Sequence, residues 1–187
     1  MILNERLEGK HIVLRTVVEE DCNEAYASWM NDYETNYYME TRWNEQTKKT
    51  IIEFVNTISK SNDSYLFAIV EKSSGIHIGN IKIGPIVPLY KYADISYFIG
   101  EKQYRGLGYA KEAIGLICDF AFIDLCLHRV QAGVIEGNTS SENTLISMGF
   151  ELEGRLRHKF IRDGKYLDHL IYGLINERME DRSWSSV

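Results

Sequence analysis

The chain is predicted to be a mixed α/β fold, a mostly antiparallel seven-stranded sheet with about four helices on its faces. Three observations predict it: seven short runs rich in β-branched and aromatic residues, four stretches with apolar residues at helical spacing, and the order in which they alternate. That order is a meander, then a strand-helix-strand crossover, then a helix and a hairpin. The strand runs are His11 to Arg15, Tyr65 to Glu71, Ile76 to Ile83, Ala93 to Ile99, Arg129 to Ile135, Phe150 to Ile161 and Tyr166 to Ile175. The helical stretches are Cys22 to Asp32, Glu45 to Ser59, Leu107 to Leu125 and Ser140 to Met148. Within the third, Ala110, Ile114, Ile117, Ala121 and Leu125 recur every three or four residues, while Lys111, Glu112 and Asp119 occupy the rest of the cylinder. Ser73-Ser74-Gly75 and Arg162-Asp163-Gly164-Lys165 supply hairpin turns. The strands flanking the long helix, Ala93 to Ile99 and Arg129 to Ile135, are expected to run parallel.

A chain of 187 residues suits one domain over residues 1–187, and no linker, repeat or low-complexity segment divides it. Its two prolines, Pro85 and Pro88, fall together in one loop or strand edge. There is no apolar run of spanning length, and Met1-Ile2-Leu3-Asn4-Glu5-Arg6 lacks the regions of a signal peptide, so a soluble cytoplasmic protein is expected. Cys22, Cys118 and Cys126 form no metal-type pair and read as reduced, buried structural thiols. His11, His77, His128, His158 and His169 show no metal spacing either, so no metal is expected. A net charge of −6 with no basic run argues against nucleic acid as partner and is compatible with a cationic substrate.

The segment Gln103-Tyr104-Arg105-Gly106-Leu107-Gly108-Tyr109-Ala110 joins a strand ending at Ile99 to the long helix. Glycine permits a tight turn and a close backbone approach, and the first-turn amides of a helix have no intrahelical acceptor. With the positive end of the helix dipole, they favour an anion, so the segment reads as a pyrophosphate cradle. It is not a Walker loop, which needs Gly-x-x-x-x-Gly-Lys-Ser/Thr, nor a dinucleotide fingerprint, which needs Gly or Ala where Lys111 stands.

Together with a second segment, the cradle resembles the GNAT N-acetyltransferase superfamily and its RimJ/RimL-like branch. Gln103, Gly106 and Gly108 meet the acetyl-CoA signature Gln/Arg-x-x-Gly-x-Gly/Ala. Asn138-Thr-Ser-Ser141-Glu-Asn-Thr-Leu145-Ile-Ser-Met-Gly149-Phe150 is similar to the branch's Asn-x-x-Ser helix ending in Gly-Phe. The opening Leu7-Glu8-Gly9-Lys10-His11-Ile12-Val13-Leu14-Arg15 with Glu19-Glu20-Asp21, and the late Glu153-Gly154-x-Leu156-Arg157 and Gly164-Lys165-Tyr166-x-Asp168-x-x-x-Tyr172, extend the likeness over nearly the whole chain. The resemblance implies the GNAT fold, with the two parallel strands splayed around acetyl-CoA. It also implies that Ile99, Gln103 to Ala110, Asn138 and Ser141 hold this cosubstrate.

Acetyl transfer to an amine needs a neutral nucleophile, whereas a lysine-type amine has an unperturbed pKa of about 10. By the resemblance, Asp94 stands where relatives carry a carboxylate near the thioester, and it is the candidate base, directly or through water. A strand-edge carboxylate satisfied by a neighbour is the alternative. Glu40, Glu101, Glu151 and Asp168 are further candidates, with Asp168 foremost because it lies in the matched terminal motif. The tyrosine that many relatives use to protonate the departing thiolate is replaced here by Leu145. Ser141 matches the branch serine and can reach the sulfur, although Thr139-x-x-Glu142 also reads as a capping box. Trp29, Tyr37, Glu40, Trp43 and Asp168 are candidates for the amine pocket, with core packing the competing use of the aromatics.

The expected activity is direct acetyl transfer from acetyl-CoA to a primary amine, of a protein N-terminus or of a small molecule. A polyamine, an antibiotic-type amine and a nucleotide-linked amino sugar remain open acceptors. A regulatory acyl-CoA-binding domain without turnover is the alternative of another class, supported by Leu145. A homodimer is compatible with the family. Specificity is expected to lie in the loops Asn31 to Glu45 and Val87 to Tyr92.

Overall fold

A computed structural model describes residues 1–177. In chain order the elements are β1 (Leu7–Glu8), β2 (Ile12–Thr16), α1 (Glu24–Asn31), α2 (Tyr33–Asn36), α3 (Lys48–Lys60), β3 (Tyr65–Glu71), β4 (His77–Val87) and β5 (Tyr92–Ile99). They are followed by α4 (Tyr109–Asp119), β6 (Arg129–Ile135), α5 (Thr139–Ser147), β7 (Glu151–Arg162) and β8 (Lys165–Ile175). All strands form one sheet of order β1-β2-β3-β4-β5-β6-β8-β7. Every neighbouring pair is antiparallel except β5 with β6, which is parallel as expected.

Two of the expected counts need correction. The sheet has eight strands because Leu7 and Glu8 pair with Leu14 and Val13. A two-residue strand is too short to leave an alternating pattern in the sequence. A fifth helix, α2, is a single turn whose N-cap Asp32 accepts the Thr35 amide at 3.0 Å. It was hidden inside an aromatic-rich stretch with no helical period.

The sheet is covered on both faces because its central strands are apolar on both. On one face Ile12, Leu14, Phe67, Ile69, Ile81, Ile95, Ile114, Ile117 and Leu145 join the strands to α4 and α5. On the other, Val17, Tyr26, Trp29, Ile51, Val55, Leu66 and Ala68 join them to α1 and α3. The last turn of the long helix widens into a π-helical segment, Phe120–Asp124. The prolines fall where the sequence placed them: Pro85 sits in the β4 irregularity between Ile83 and Ile86. At the β7–β8 turn Asp163 (φ 49°) and Gly164 (φ 74°) both take the left-handed conformation that a two-residue hairpin requires. Cys22 and Cys118 are buried as expected, whereas Cys126, just past the end of the long helix, is exposed against the expectation, and all three are unbridged. Among the described residues, no helix is long and apolar enough to cross a membrane.

The parallel pair positions the site. Its rungs are Tyr92–Arg129, Ala93–Val130, Asp94–Gln131 and Ile95–Ala132, and there the pairing ends. Strand β5 continues four residues to Ile99 and β6 three residues to Ile135, so the sheet opens into a fork bounded by two unpaired strand edges.

Candidate active site

The cradle closes the β5 arm of the fork. Past Ile99, residues Lys102–Tyr104 form a 3₁₀ turn, and Gly108 is the N-cap of α4. Gly106 (φ 73°) and Gly108 (φ 87°) are both left-handed, and a Cβ at either would meet nothing within 4 Å. These glycines are therefore required by backbone conformation, and the space above them is open. An open, glycine-lined turn ahead of the first-turn amides of Tyr109 and Ala110 fits a pyrophosphate. The Arg105 guanidinium is committed inward, to the Ile99 carbonyl at 3.1 Å, the Gly100 carbonyl at 3.0 Å and Thr35 Oγ1 at 2.6 Å. Tyr104 packs against Tyr109, and Gln103 is exposed on the turn. From the far side, Glu112 Oε1 accepts the amides of His11 at 2.7 Å and Ile12 at 3.3 Å and so ties α4 to β2.

Asp94 lies at the second-last rung before the strands part. Its Oδ1 accepts from the side-chain amide Nε2 of Gln131, directly across the parallel pair, at 2.6 Å. Gln131 is itself contacted by Arg129, which forms a two-pronged ion pair with Glu153. The strand-edge carboxylate is thus oriented by a neighbour while remaining half-buried at the fork. Asp168 is not brought to it. Ladder partners share a face, and Asp168 alternates with the His169 face on which Gln131 and Asp94 lie. Asp168 is buried and accepts Arg155 at 3.0 Å and the His158 amide at 2.9 Å, which holds the left-handed bulge in β7.

The β6 arm ends in α5. Its N-cap is Asn138, whose Oδ1 accepts the Ser141 amide at 3.3 Å. The expected Thr139–Glu142 capping box is not formed, because the cap lies one residue earlier at Asn138, and Glu142 accepts the Tyr172 hydroxyl at 3.1 Å. Leu145, at the position where the resemblance leads one to expect a tyrosine, is fully buried. Ser141 has a partner that the sequence reading missed: the Tyr97 hydroxyl, 2.8 Å from its Oγ. Burial raises the Tyr97 pKa.

This geometry coincides with a family match. The sequence model described as Acetyltransferase (GNAT) domain matches residues 11–151. The chain belongs to the GNAT acetyltransferase family. It is similar to the uncharacterized N-acetyltransferase YoaA of Bacillus subtilis, with 27% identity over 92% of this chain and 97% of YoaA. Among solved structures, RimL, a ribosomal L7/L12 α-N-protein acetyltransferase in complex with coenzyme A, superposes with a TM-score of 0.82 at 16% identity, covering 91% of this chain and 98% of RimL. The spermidine N-acetyltransferase of Vibrio cholerae, in complex with CoA and spermine, gives 0.80 at 20% identity over 91% and 99%. The protein is accordingly an N-acetyltransferase with the GNAT fold.

In this GNAT chain the segment from Tyr33 to Trp43 roofs the fork. It reaches the β5 arm through Thr35 and Arg105, and the β6 arm through Tyr38, whose hydroxyl donates to the Gly137 carbonyl at 2.8 Å. It reaches the β7–β8 hairpin through Arg162, a fully buried guanidinium. Arg162 donates to the Tyr37 carbonyl at 2.9 Å and to Glu40 at 2.8 Å. Arg42 lies over the rings of Tyr33, Tyr37 and Trp43 at 4.9 to 5.4 Å. Tyr37, Glu40 and Trp43 therefore share one surface. Trp29 is elsewhere, buried against Tyr26, His77 and Phe98 beneath Gly100.

His169 is a further residue the sequence left unmarked. It stands on the Asp94 face, and a Cβ at Gly133 would collide with its Nε2. Burial and the neighbouring Lys159 lower its pKa, while Glu40 and Asp94 act in the opposite direction. An isolated histidine in a strand carries no spacing signal; only the cross-strand glycine, known after folding, explains its place.

Proposed function

We propose that this GNAT enzyme transfers acetyl from acetyl-CoA directly to a primary amine. The observation that carries the reading is the end of the parallel pairing at Ile95 and Ala132, one rung beyond Asp94. An unpaired strand edge offers amides and carbonyls to an extended ligand arm, and the open turn at Gly106 and Gly108 suits the pyrophosphate at its end. In this reading the backbone from Gly106 to Ala110 binds the diphosphate, while Ile99 and Asn138 flank the pantetheine arm. Asp94, oriented by Gln131, takes the proton of the incoming ammonium group directly or through one water. Ser141 stands at the leaving sulfur. No covalent acyl-enzyme is needed.

The acceptor is read as a cationic amine of the RimJ/RimL type, a polypeptide N-terminus or a polyamine, entering beneath the Tyr33–Trp43 roof. The net charge of −6 and the carboxylates of Asp94 and Glu40 around His169 support a cation there.

The test is thiol release from acetyl-CoA with peptides bearing free N-termini, polyamines, aminoglycosides and UDP-amino sugars. Release with peptides or polyamines is the expected result. Tight acetyl-CoA binding with no release from any class would overturn the catalytic reading in favour of a regulatory one.

A further inference from the structure

The two arms of the fork each contribute one hydroxyl, and the two hydroxyls meet. Tyr97 lies on β5 two residues beyond the last rung at Ile95, where β5 no longer has β6 beside it. Ser141 lies in the first turn of α5, which the chain reaches three residues after β6 ends. Their oxygens are 2.8 Å apart. The Tyr97 oxygen is also 3.4 Å from the Ser141 main-chain carbonyl, which can only accept. Either hydroxyl can donate across the 2.8 Å contact; with the phenolic proton on this shorter bond, Tyr97 is the donor and the Ser141 hydrogen is left to point elsewhere. The Ser141 amide is already fixed by Asn138, so the backbone of this turn is held as well.

We propose that Tyr97 is the positioning residue for Ser141, and that it orients the Ser141 hydroxyl as a hydrogen-bond donor to the departing CoA sulfur. The inference rests on the acetyl-CoA reading above and replaces the function that the buried Leu145 cannot serve. As the acceptor nitrogen bonds to the acetyl carbon, the carbon–sulfur bond breaks and its electron pair passes to sulfur. Ser141 donates to that developing thiolate, and Tyr97 keeps its own proton throughout. Asp94 has taken the first proton, from the ammonium group; the second, given up by the nitrogen as it becomes an amide, goes to water, and the thiolate takes one from solvent on release. Burial favours the neutral phenol, in keeping with a donor that does not ionise.

The experiment uses the complex with CoA, needs no acceptor and reads the bound thiol. The pH dependence of alkylation of protein-bound CoA by iodoacetamide gives the thiol pKa for the wild type, Tyr97→Phe, Ser141→Ala and the double variant. CoA affinity is measured separately by calorimetry. Loss of the oriented donor should raise the bound thiol pKa in both single variants, and the double variant should be no higher than Ser141→Ala, since Tyr97 acts through Ser141. The same variants assayed with an acetyl thioester of a more acidic thiol should lose less of their rate than with acetyl-CoA. Equal thiol pKa in wild type and Tyr97→Phe, with CoA still bound, would overturn the proposal. Additive shifts would overturn the route through Ser141. Failure of the wild type to bind CoA would instead overturn the acetyl-CoA reading itself, so the two failures are distinguishable.

Discussion

The indole N–H of Trp29 donates to the carboxylate of Glu101 at 3.0 Å, which joins the first helix to the glycine turn proposed to hold acetyl-CoA. The ring lies against Gly100, where a Cβ would collide with it. An aromatic residue placed among candidates for the acceptor pocket thus forms the floor beneath the cradle. Trp29→Ala removes a buried indole and should cost about 3–5 kcal/mol in urea unfolding. Trp29→Phe, which keeps most of the ring and loses the hydrogen bond, should cost less and still weaken acetyl-CoA binding.

Asp94→Asn should fold normally, because the carboxamide can still accept from Gln131. If Asp94 is the base, kcat falls by about 10²–10⁴-fold with CoA affinity unchanged. Unchanged turnover would remove Asp94 from that role.

Gly108→Ala should lower stability by about 1–2 kcal/mol, the cost of left-handed backbone for a residue with a Cβ. Since nothing obstructs the methyl group, the loss is conformational, and relaxation of the turn should also weaken CoA binding by calorimetry.

Arg162→Met removes the donor to the Tyr37 carbonyl and to Glu40 and leaves that carbonyl only the longer bond from Arg42 at 3.3 Å, so a cost of about 1 kcal/mol per lost hydrogen bond is expected. The Tyr33–Trp43 roof should loosen, so KM for the amine rises more than KM for acetyl-CoA. Equal effects on both would place the hairpin contact outside acceptor recognition.

His77 provides a pH dependence. Burial lowers its pKa, opposed by its bonds to Asn80 and Gly79 and by Asp21 at 3.7 Å. The folded state therefore binds the proton less tightly than the unfolded chain, whose histidine titrates near about 6.5. Stability from this group is full above that value and is lost as pH falls towards the folded pKa, by up to about 1.4 kcal/mol per pH unit. His169 has the same sign. His77→Gln should flatten, without abolishing, the decline in urea midpoint between pH 7.5 and 5.5.

Local pattern made most of the fold legible. The helical period of the long helix and the alternation in β6 reflect side chains facing one core, while the unbroken apolar run of β3 reflects a strand buried on both faces, and such patterns survive in sequence. The short β1 and α2 were not legible, because two or four residues held by partners elsewhere leave no period. Within the site, Gly106 and Gly108 were legible as glycines that a left-handed turn demands. Tyr97 and His169 were not, since each is defined by a residue 44 or 36 positions away in sequence, Ser141 or Gly133.

The sequence alone determined the order of elements, the glycine turn before the long helix, and through its motifs the kinship with GNAT acetyltransferases. Those properties depend on neighbouring residues, on backbone preferences and on the chemistry of single side chains. Only the tertiary structure decided how far the parallel strands stay paired, that Trp29 supports the cradle rather than the Tyr33–Trp43 roof, that Asp168 is turned from Asp94, and that Tyr97 meets Ser141. Each of these depends on register and on which face of the sheet a residue occupies, and a shift of one residue in pairing would reverse it.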